Sequence, residues 1–203
     1  MDLGEISGLS LSTSADVFLK QGSTREIKVS GQENILDNLE LTNEFSVFTI
    51  TNKVGVRKSE PVKIYVTLPM IDLIRIAGSG DVQMVNHFSN LKDLTVRITG
   101  SGDIVADLDG EKVVAVVTGS GNISLTGKAG ALDLTIRGSG DISAREFRVH
   151  DANVLVKGSG DVAVHVDGTL KGQVSGSGNI GYLGEPSVSF HESGSGEIYK
   201  IRN

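Results

Sequence analysis

The chain has 203 residues, a formal net charge of −6 and only 4% aromatic residues, with no tryptophan and no cysteine. A negative chain with few rings on which bases could stack is not expected to bind nucleic acid. The lack of cysteine excludes a disulfide framework and thiol chemistry. No segment approaches the run of about 18 apolar residues that a membrane-spanning helix needs, so we expect no membrane span.

The N-terminal stretch Met1-Asp2-Leu3-Gly4-Glu5 has neither the basic nor the apolar region of a signal peptide. Two interpretations stay open at this point. The protein is cytoplasmic, or an export signal has been removed from the chain as given.

Residues 1–70 contain irregularly spaced segments in which apolar and polar residues alternate, as they do in strands with one buried face. The predicted strands are Leu9-Ser10-Leu11-Ser12, Val17-Phe18-Leu19, Ile27-Lys28-Val29, Phe45-Ser46-Val47-Phe48-Thr49-Ile50 and Val62-Lys63-Ile64-Tyr65-Val66. Residues 33–39 are compatible with one or two helical turns or with an irregular connection between strands.

From residue 78 onward, one short motif recurs seven times: Gly-Ser-Gly, then Asp, Asn or Glu, then Ile or Val. The copies start at residues 78, 100, 119, 138, 158, 176 and 194, so successive copies lie 18 to 22 residues apart. A repeat of this length is typical of solenoid proteins, in which each repeat forms one coil.

The residues between these motifs alternate with a period of two. Leu94, Val96 and Ile98 lead into one corner, and Ile104 and Ala106 lead out of it. Each repeat is therefore predicted to contain a strand, a Gly-Ser-Gly corner, a second strand and a second turn. Glycines that mark this second turn are Gly110, Gly127, Gly130, Gly168 and Gly184. Coils of this kind stack so that each strand pairs with its equivalents one coil above and below.

We predict an all-β fold with a right-handed parallel β-helix over residues 71–203, because parallel crossover connections favour the right hand. Residues 1–70 are predicted to form an irregular β section that caps the solenoid, since an open end exposes unpaired backbone groups. Pro69 is expected at the boundary, because proline cannot donate to a central ladder. The last coil ends shortly after Gly194 and is predicted to be incomplete.

Glycine suits the corner because it adopts positive φ without a steric penalty and lets neighbouring coils approach closely. We predict that Gly140→Val disrupts the stack, because it places a β-branched residue at a position that requires positive φ.

Three features together resemble a known family: Asp16-Val17-Phe18-Leu19-Lys20-Gln21-Gly22, the strand Ile64-Tyr65-Val66-Thr67-Leu68-Pro69, and the repeated Gly-Ser-Gly-Asp-Val. They are similar to the putative auto-transporter adhesin, head GIN domain family, over nearly the whole chain. The resemblance implies a β-helical fold, export to the periplasm or cell surface of a Gram-negative bacterium, and an adhesive role. It brings no catalytic residues. On this basis we interpret the missing export signal as removed.

The residue after each Gly-Ser-Gly occupies the same corner of successive coils, so these residues are predicted to form one column. The column consists of Asp81, Asp103, Asn122, Asp141, Asp161, Asn179 and Glu197. Its side chains either accept hydrogen bonds from corner amides or bind a cation such as calcium. Calcium-binding solenoids use a nonapeptide repeat, whereas this chain offers one such residue per coil. Capping of the corner is therefore the favoured interpretation.

Other candidate motifs are predicted to be structural. Gly176-Ser177-Gly178-Asn179-Ile180-Gly181 matches G-x-G-x-x-G, but no helical pattern follows it. The histidines recur at no metal-ligand spacing, although residues distant in sequence can align between coils. These histidines are His87, His150, His165 and His191. The near-constant coil length leaves little room for the loops that build the cleft of a polysaccharide-processing enzyme.

We therefore predict no enzyme: no catalytic residues, no cofactor and no metal site. The leading hypothesis is a non-catalytic exported β-helical module that acts as an adhesin or scaffold at the cell surface or in the periplasm. Its ligand would be a surface glycan or a protein. One alternative is a structural module that forms a homo-oligomer by stacking through its ends. Another is a β-helix that binds or processes polysaccharide.

Overall fold

The computed structural model describes residues 5–54 and 62–202. Residues 1–4, to which the expectation about an export signal refers, lie outside this part. Strands make up 70% of the chain and helix 2%. The N-terminal elements are β1 (Gly8–Leu11), β2 (Asp16–Gln21), β3 (Glu26–Ser30), α1 (Glu33–Leu36), β4 (Leu39–Glu44), β5 (Val47–Asn52), β6 (Lys63–Leu68), β7 (Leu73–Ile76) and β8 (Asp81–Met84). The later strands are β9 (Phe88–Gly100), β10 (Ile104–Gly119), β11 (Ile123–Gly138), β12 (Ile142–Gly158), β13 (Val162–Gly176), β14 (Ile180–Leu183), β15 (Ser187–Gly194) and β16 (Ile198–Lys200).

The chain winds into a β-solenoid of about 7 turns, which confirms the predicted parallel β-helix. Strands β9 to β13 each cross the second turn of a coil and end at the first glycine of a Gly-Ser-Gly motif. Neighbouring strands pair in parallel, so that Ile104 lies beside Ile123 and Val113 beside Leu132.

The interior is formed by the apolar residues of the period-two pattern, because alternate side chains of a strand point to opposite faces. One stacked column is fully buried: Ile98, Val117, Ile136, Val156 and Val174. Each such side chain contributes about 1.5–3 kcal/mol when it is removed from water. Stacking of like residues therefore holds successive coils in register.

The two glycines of each corner have different roles. The first adopts positive φ in most copies, for example 139° at Gly138. The second packs against the coil before it, and a Cβ atom added to Gly140 would lie 2.0 Å from the carbonyl oxygen of Gly121. The structure gives Gly140 no positive φ, so our predicted reason for the effect of Gly140→Val is wrong. Close backbone approach is the constraint at that position.

The order of coils in space differs from their order in the chain. Strand β1 pairs in parallel with both β5 and β7, and β2 pairs in parallel with both β6 and β8. The coil made by β1 and β2 therefore lies between the coil of β5 and β6, which comes later in the chain, and the coil of β7 and β8, which contains the first Gly-Ser-Gly motif. The predicted division at residue 70 stays a prediction, and parallel pairing crosses it.

Residues 12–16 form a corner without glycine beneath the first Gly-Ser-Gly motif. Asp16 pairs with Asp81, and the carbonyl oxygen of Ala15 lies 2.4 Å from the position of a Cβ added to Gly80. The buried Thr13 hydroxyl accepts the Ala15 N–H at 3.0 Å. This hydrogen bond supports the turn where the sequence lacks glycine.

Antiparallel strands cover the edge of the outermost coil. Strand β3 pairs with β6, and β4 pairs with β5. The one-turn helix α1 connects β3 to β4. The strand predicted to begin at Phe45 begins instead at Val47, because Phe45 and Ser46 form the turn of the β4–β5 hairpin with φ values of 52° and 63°.

The opposite end of the solenoid has no comparable cover among the described residues. Strand β15 is exposed at every position. Val188 and Phe190 occupy positions that pair with the buried Leu170 and Gly172, yet they are 37% and 42% exposed. The apolar interior of the solenoid thus opens to solvent at this end.

Candidate functional site

The predicted corner column forms a continuous hydrogen-bonded ladder. The Asp81 carboxylate accepts the backbone N–H of Asp103 at 2.8 Å, and the Asp141 carboxylate accepts that of Asp161 at 2.7 Å. The other steps are Asn122 to Asp103, Asp141 to Asn122, Asn179 to Asp161 and Glu197 to Asn179. The first six side chains of the column, from Asp81 to Asn179, therefore each accept a backbone amide from the following coil, which confirms the predicted capping role.

Asparagines within this column also donate to carboxylates. The Asn122 side-chain amide donates to Asp103 at 2.9 Å, and that of Asn179 donates to Asp161 at 2.9 Å. These bonds reduce the repulsion that stacked carboxylates would otherwise exert on each other. In the described part of the chain, no three Asp, Glu, His or Cys residues are grouped to hold a metal ion.

The G-x-G-x-x-G match is one of the repeated corners. Gly176 has a φ of 132°, and the motif leads into the strand β14. Nucleotide binding by this motif requires a helix whose N-terminus faces the phosphates. The local structure is therefore that of a solenoid corner, as the missing helical pattern indicated.

His87 is the histidine with the strongest contacts. Its Nδ1 lies 2.9 Å from the Asp107 carboxylate and its Nε2 lies 3.6 Å from that of Asp109. The hydrogen bond to Asp107 and the charge of both carboxylates raise the pKa of His87 above its ordinary value. The Asp109 carboxylate also lies 3.4 Å from the ammonium group of Lys128. This cluster links three successive coils at the second turn.

The other histidines lie on separate parts of the surface. His165 Nε2 lies 3.8 Å from the Asp167 carboxylate. His150 packs at the second turn, where its ring would lie 2.7 Å from a Cβ added to Gly168. His191 lies on β15. The coil-to-coil alignment that the sequence left open therefore brings carboxylates to His87, whereas the Asp167 carboxylate near His165 lies two residues away on the same strand.

The outer surface of β11, β12, β13 and β15 forms a shallow groove of about 470 Å³, which we call the polar face. Two rows of outward side chains run across it from coil to coil. The first row is Asp133, Asn153, Lys171 and Ser189, and the second is Thr135, Leu155, Gln173 and His191. Because neighbouring strands lie about 4.8 Å apart, the first row presents a polar side chain at each strand, and the second row does so except at Leu155.

Hydrogen bonds fix the first row of the polar face. The Lys112 ammonium lies 2.8 Å from the Asp133 carboxylate, and the Asn153 amide donates to Asp133 at 2.8 Å. Burial alone would raise the pKa of Asp133, but these two partners lower it below its usual range. The hydrogen bond to Asp133 raises the pKa of Lys112. Asp133 is therefore held as a carboxylate at neutral pH.

Sequence reasoning missed the polar face, although the outward positions of the period-two pattern contain its signal. Asp133, Asn153 and Lys171 are 18 to 20 residues apart in the sequence. This spacing matches the coil length, so such residues are expected to align. The exact alignment depends on register shifts within each coil, as between Val149 and Asp151 in the β12–β13 pair.

Among the residues that the structure describes, no helix is long and apolar enough to cross a lipid bilayer. Taken together, the stacked coils and the capped corners define a β-solenoid with an open groove on its outer surface. The model of the putative auto-transporter adhesin, head GIN domain family matches residues 6–186. The chain belongs to this family, as its corner motifs indicated.

Several solved structures have the same fold. A putative adhesin from Bacteroides fragilis is 24% identical with a TM-score of 0.91, over 99% of this chain and 94% of that one. A putative lipid binding protein from Parabacteroides distasonis is 24% identical with a TM-score of 0.83, over 100% and 95%. A putative adhesin from Parabacteroides merdae is 23% identical with a TM-score of 0.78, over 98% and 93%. No curated protein matches the sequence.

Proposed function

We propose that this protein is an exported, non-catalytic adhesin that binds a surface glycan through its polar face. Membership of the adhesin family supports export to the periplasm or cell surface. The observation that carries the choice of ligand is the pair of polar rows across four paired strands. The spacing of about 4.8 Å between neighbouring strands is comparable to the length of one sugar residue, so a chain of sugars laid along the first row would meet a polar side chain at each strand.

The polar face suits neutral or weakly charged sugars. Gln173 and Asn153 provide amide groups that both donate and accept hydrogen bonds, and both residues are exposed. Both carboxylate oxygens of Asp133 already have a partner, Lys112 or Asn153. Asp133 can therefore accept few further hydrogen bonds from a ligand. Open grooves of this kind hold a ligand by many modest contacts rather than by enclosure, so we expect binding to depend on the length of the glycan.

A binding assay with oligosaccharides of increasing length from bacterial surface polysaccharides tests this proposal. We expect Gln173→Ala to weaken binding several-fold, since one hydrogen bond contributes about 1 kcal/mol. Gln83→Ala is the matched control, because Gln83 is exposed on β8, outside the polar face. Equal effects of the two variants, or no binding by the native chain, would contradict a glycan site on this face. Recovery of shortened oligosaccharides would favour the polysaccharide-processing alternative.

A second candidate function is self-assembly through the C-terminal end of the solenoid. Val188, Phe190 and Tyr199 are 37%, 42% and 49% exposed there, and β15 is exposed throughout. The opposite end is covered by β3 and β4. A second copy placed end to end in a two-fold arrangement would therefore bury matching apolar surfaces and edges.

Sedimentation analysis over a range of concentrations tests this second candidate. We expect a dimer that dissociates in Val188→Lys, because the introduced charge would have to be buried at the contact. Val105→Lys serves as the control, since Val105 is 44% exposed on a central coil. A native chain that stays monomeric at every concentration would rule out assembly through this end.

A further inference from the structure

One coil is longer than those that follow it, and its extra residues bulge from the solenoid. The motifs at residues 138 and 158 are 20 residues apart, whereas the following motifs are 18 apart. Ala144 pairs with Val164, and the next pair joins Arg148 to His165. Arg145, Glu146 and the residue after them thus lie on β12 without counterparts on β13. Bulges of this kind redirect side chains that would otherwise follow the flat sheet.

A core residue fixes the position of this bulge. Phe147 is fully buried, while Arg145 and Arg148 on either side of it are exposed. The aromatic ring holds the bulged segment against the interior, because removal of so large a side chain from the core would cost several kcal/mol. The two guanidinium groups are therefore presented from a fixed segment of backbone.

The bulge forms one wall of an open cleft of about 810 Å³ beside the C-terminal end of the chain, which we call the basic cleft. Its charged and titratable lining residues are Arg145, Arg148, His165, Glu185, Lys200 and Arg202. Four of these are Lys or Arg and one is an acid, in a chain whose net charge is −6. None of these residues contributes to the polar face.

Most of the positive charge in the basic cleft has no carboxylate partner. Glu185 pairs with Lys200, and the Asp167 carboxylate lies 3.8 Å from His165. In the described part of the chain, none of the ion pairs involves Arg145, Arg148 or Arg202. Guanidinium groups that converge on one cleft repel each other unless water or an anion lies between them. The arrangement therefore favours a ligand that carries more than one negative charge.

We propose that the basic cleft binds a phosphate-type oxyanion. A phosphate monoester carries up to two charges and presents three acceptor oxygens, and arginine binds such groups through two parallel hydrogen bonds. The group can belong to a soluble phosphorylated compound or to the headgroup of a lipid. The shared chemistry is the phosphate dianion, and the source is decided by experiment.

Calorimetric titration of the full chain with inorganic pyrophosphate tests the proposal. We expect saturable binding that weakens as salt is added, because exposed charges are screened. Arg145→Gln/Arg148→Gln is expected to weaken binding by at least about tenfold, which corresponds to the loss of one charge-assisted contact. The control is Arg137→Gln/Lys157→Gln, which also removes two exposed cations. These two residues are neighbours in the register of β11 and β12 and lie outside the cleft, so binding should be unchanged.

The outcomes separate a built site from general attraction. Equal losses in the two double variants, or no binding of pyrophosphate by the native chain, would overturn the proposal. Unchanged melting temperatures of both variants exclude unfolding as the cause of a loss. Given binding, cosedimentation with phosphatidylcholine vesicles that contain phosphatidic acid, lost in Arg145→Gln/Arg148→Gln, identifies a lipid source. Pyrophosphate binding without cosedimentation identifies a soluble phosphate compound.

Discussion

The two turns of each coil differ in regularity. Glycine follows glycine in register at the Gly-Ser-Gly corner, as in the pairs Gly119–Gly138 and Gly158–Gly176. Register shifts occur on the other side of the coil instead, for example between Leu108 and Gly110 and between Ala144 and Arg148. The extra residues of the longer coils therefore lie at the second turn or just before it.

This contrast separates the residues that specify the fold from those that give the surface its chemistry. The Gly-Ser-Gly corner combines close backbone contacts with a hydrogen-bonded side-chain column. The variable side contains the His87 cluster and the bulge that presents Arg145 and Arg148. The second turn thus varies in length between coils, although single positions there, such as Gly127, approach the neighbouring coil as closely as the corner glycines do.

The largest expected effect is that of a methyl group added at the constant corner. In Gly140→Ala the new Cβ would lie 2.0 Å from the carbonyl oxygen of Gly121, which requires movement of backbone. We expect a loss of about 4 kcal/mol or more in the free energy of unfolding, measured by chemical denaturation. Gly110→Ala is the control at the second turn, since its nearest contact would be 3.3 Å, and it should cost below about 1 kcal/mol. Similar losses at the two positions would show that close backbone approach does not account for the cost at Gly140.

The next effect concerns the anchor of the bulge. Phe147 is fully buried, so Phe147→Ala should lower the free energy of unfolding by about 3 kcal/mol. Phe147→Leu keeps most of the apolar volume and should cost below about 1.5 kcal/mol. Denaturation curves of both variants measure the difference. If Phe147→Ala had no effect, the bulge would be held by something other than this ring.

A smaller effect is expected in the corner column. Asp141→Ala removes the acceptor of the Asp161 N–H and should cost about 1 kcal/mol, because water can partly replace it. Asp141→Asn keeps an acceptor oxygen, as Asn122 does at the equivalent position, and should be nearly neutral. Calcium should leave the melting temperature unchanged. A melting temperature that rises with calcium in the native chain but not in Asp141→Asn would instead support a cation site.

The smallest effect is a pH dependence at the variable side. The pKa of His87 is raised above its ordinary value of 6.5 by the hydrogen bond to Asp107. Protonated His87 therefore stabilises the folded chain fully at pH values below 6.5, and this stabilisation is lost as the pH rises through the raised pKa. Because both side chains are exposed, we expect the His87–Asp107 pair to contribute less than about 1 kcal/mol to the free energy of unfolding. Melting temperatures of the native chain and His87→Gln should converge above neutral pH, and a parallel offset at all pH values would contradict this account.

The regular part of the fold could be predicted because its signals are local. The spacing of the glycine motifs gives the coil, and the period-two pattern gives the buried face, as for Val113, Ala115 and Val117. The capping role of the corner column also follows from residue type and position. These features repeat in each coil, so an irregularity in one copy does not obscure them.

The remaining features depend on pairing between distant segments. Nothing local in residues 8–11 indicates that they lie between β5 and β7. Strand β4 lacks a clear alternation and is absent from the predicted strands, and the strand predicted from Phe45 includes the two residues that form the hairpin turn. The basic cleft combines Arg145 with Arg202, which are close only because the bulge and the last coil meet. Coil length was the available signal, since the bulged coil has two residues more than the next.

The central claim is that the constant corner holds the solenoid together and that the variable side is free to differ. Amide-resolved hydrogen exchange tests it most directly, because exchange reports the local opening of hydrogen bonds. We predict that amides of residues 120–122, which donate to the preceding coil, exchange far more slowly than those of residues 145–147 in the bulge. Faster exchange at the corner than in the bulge would contradict the account.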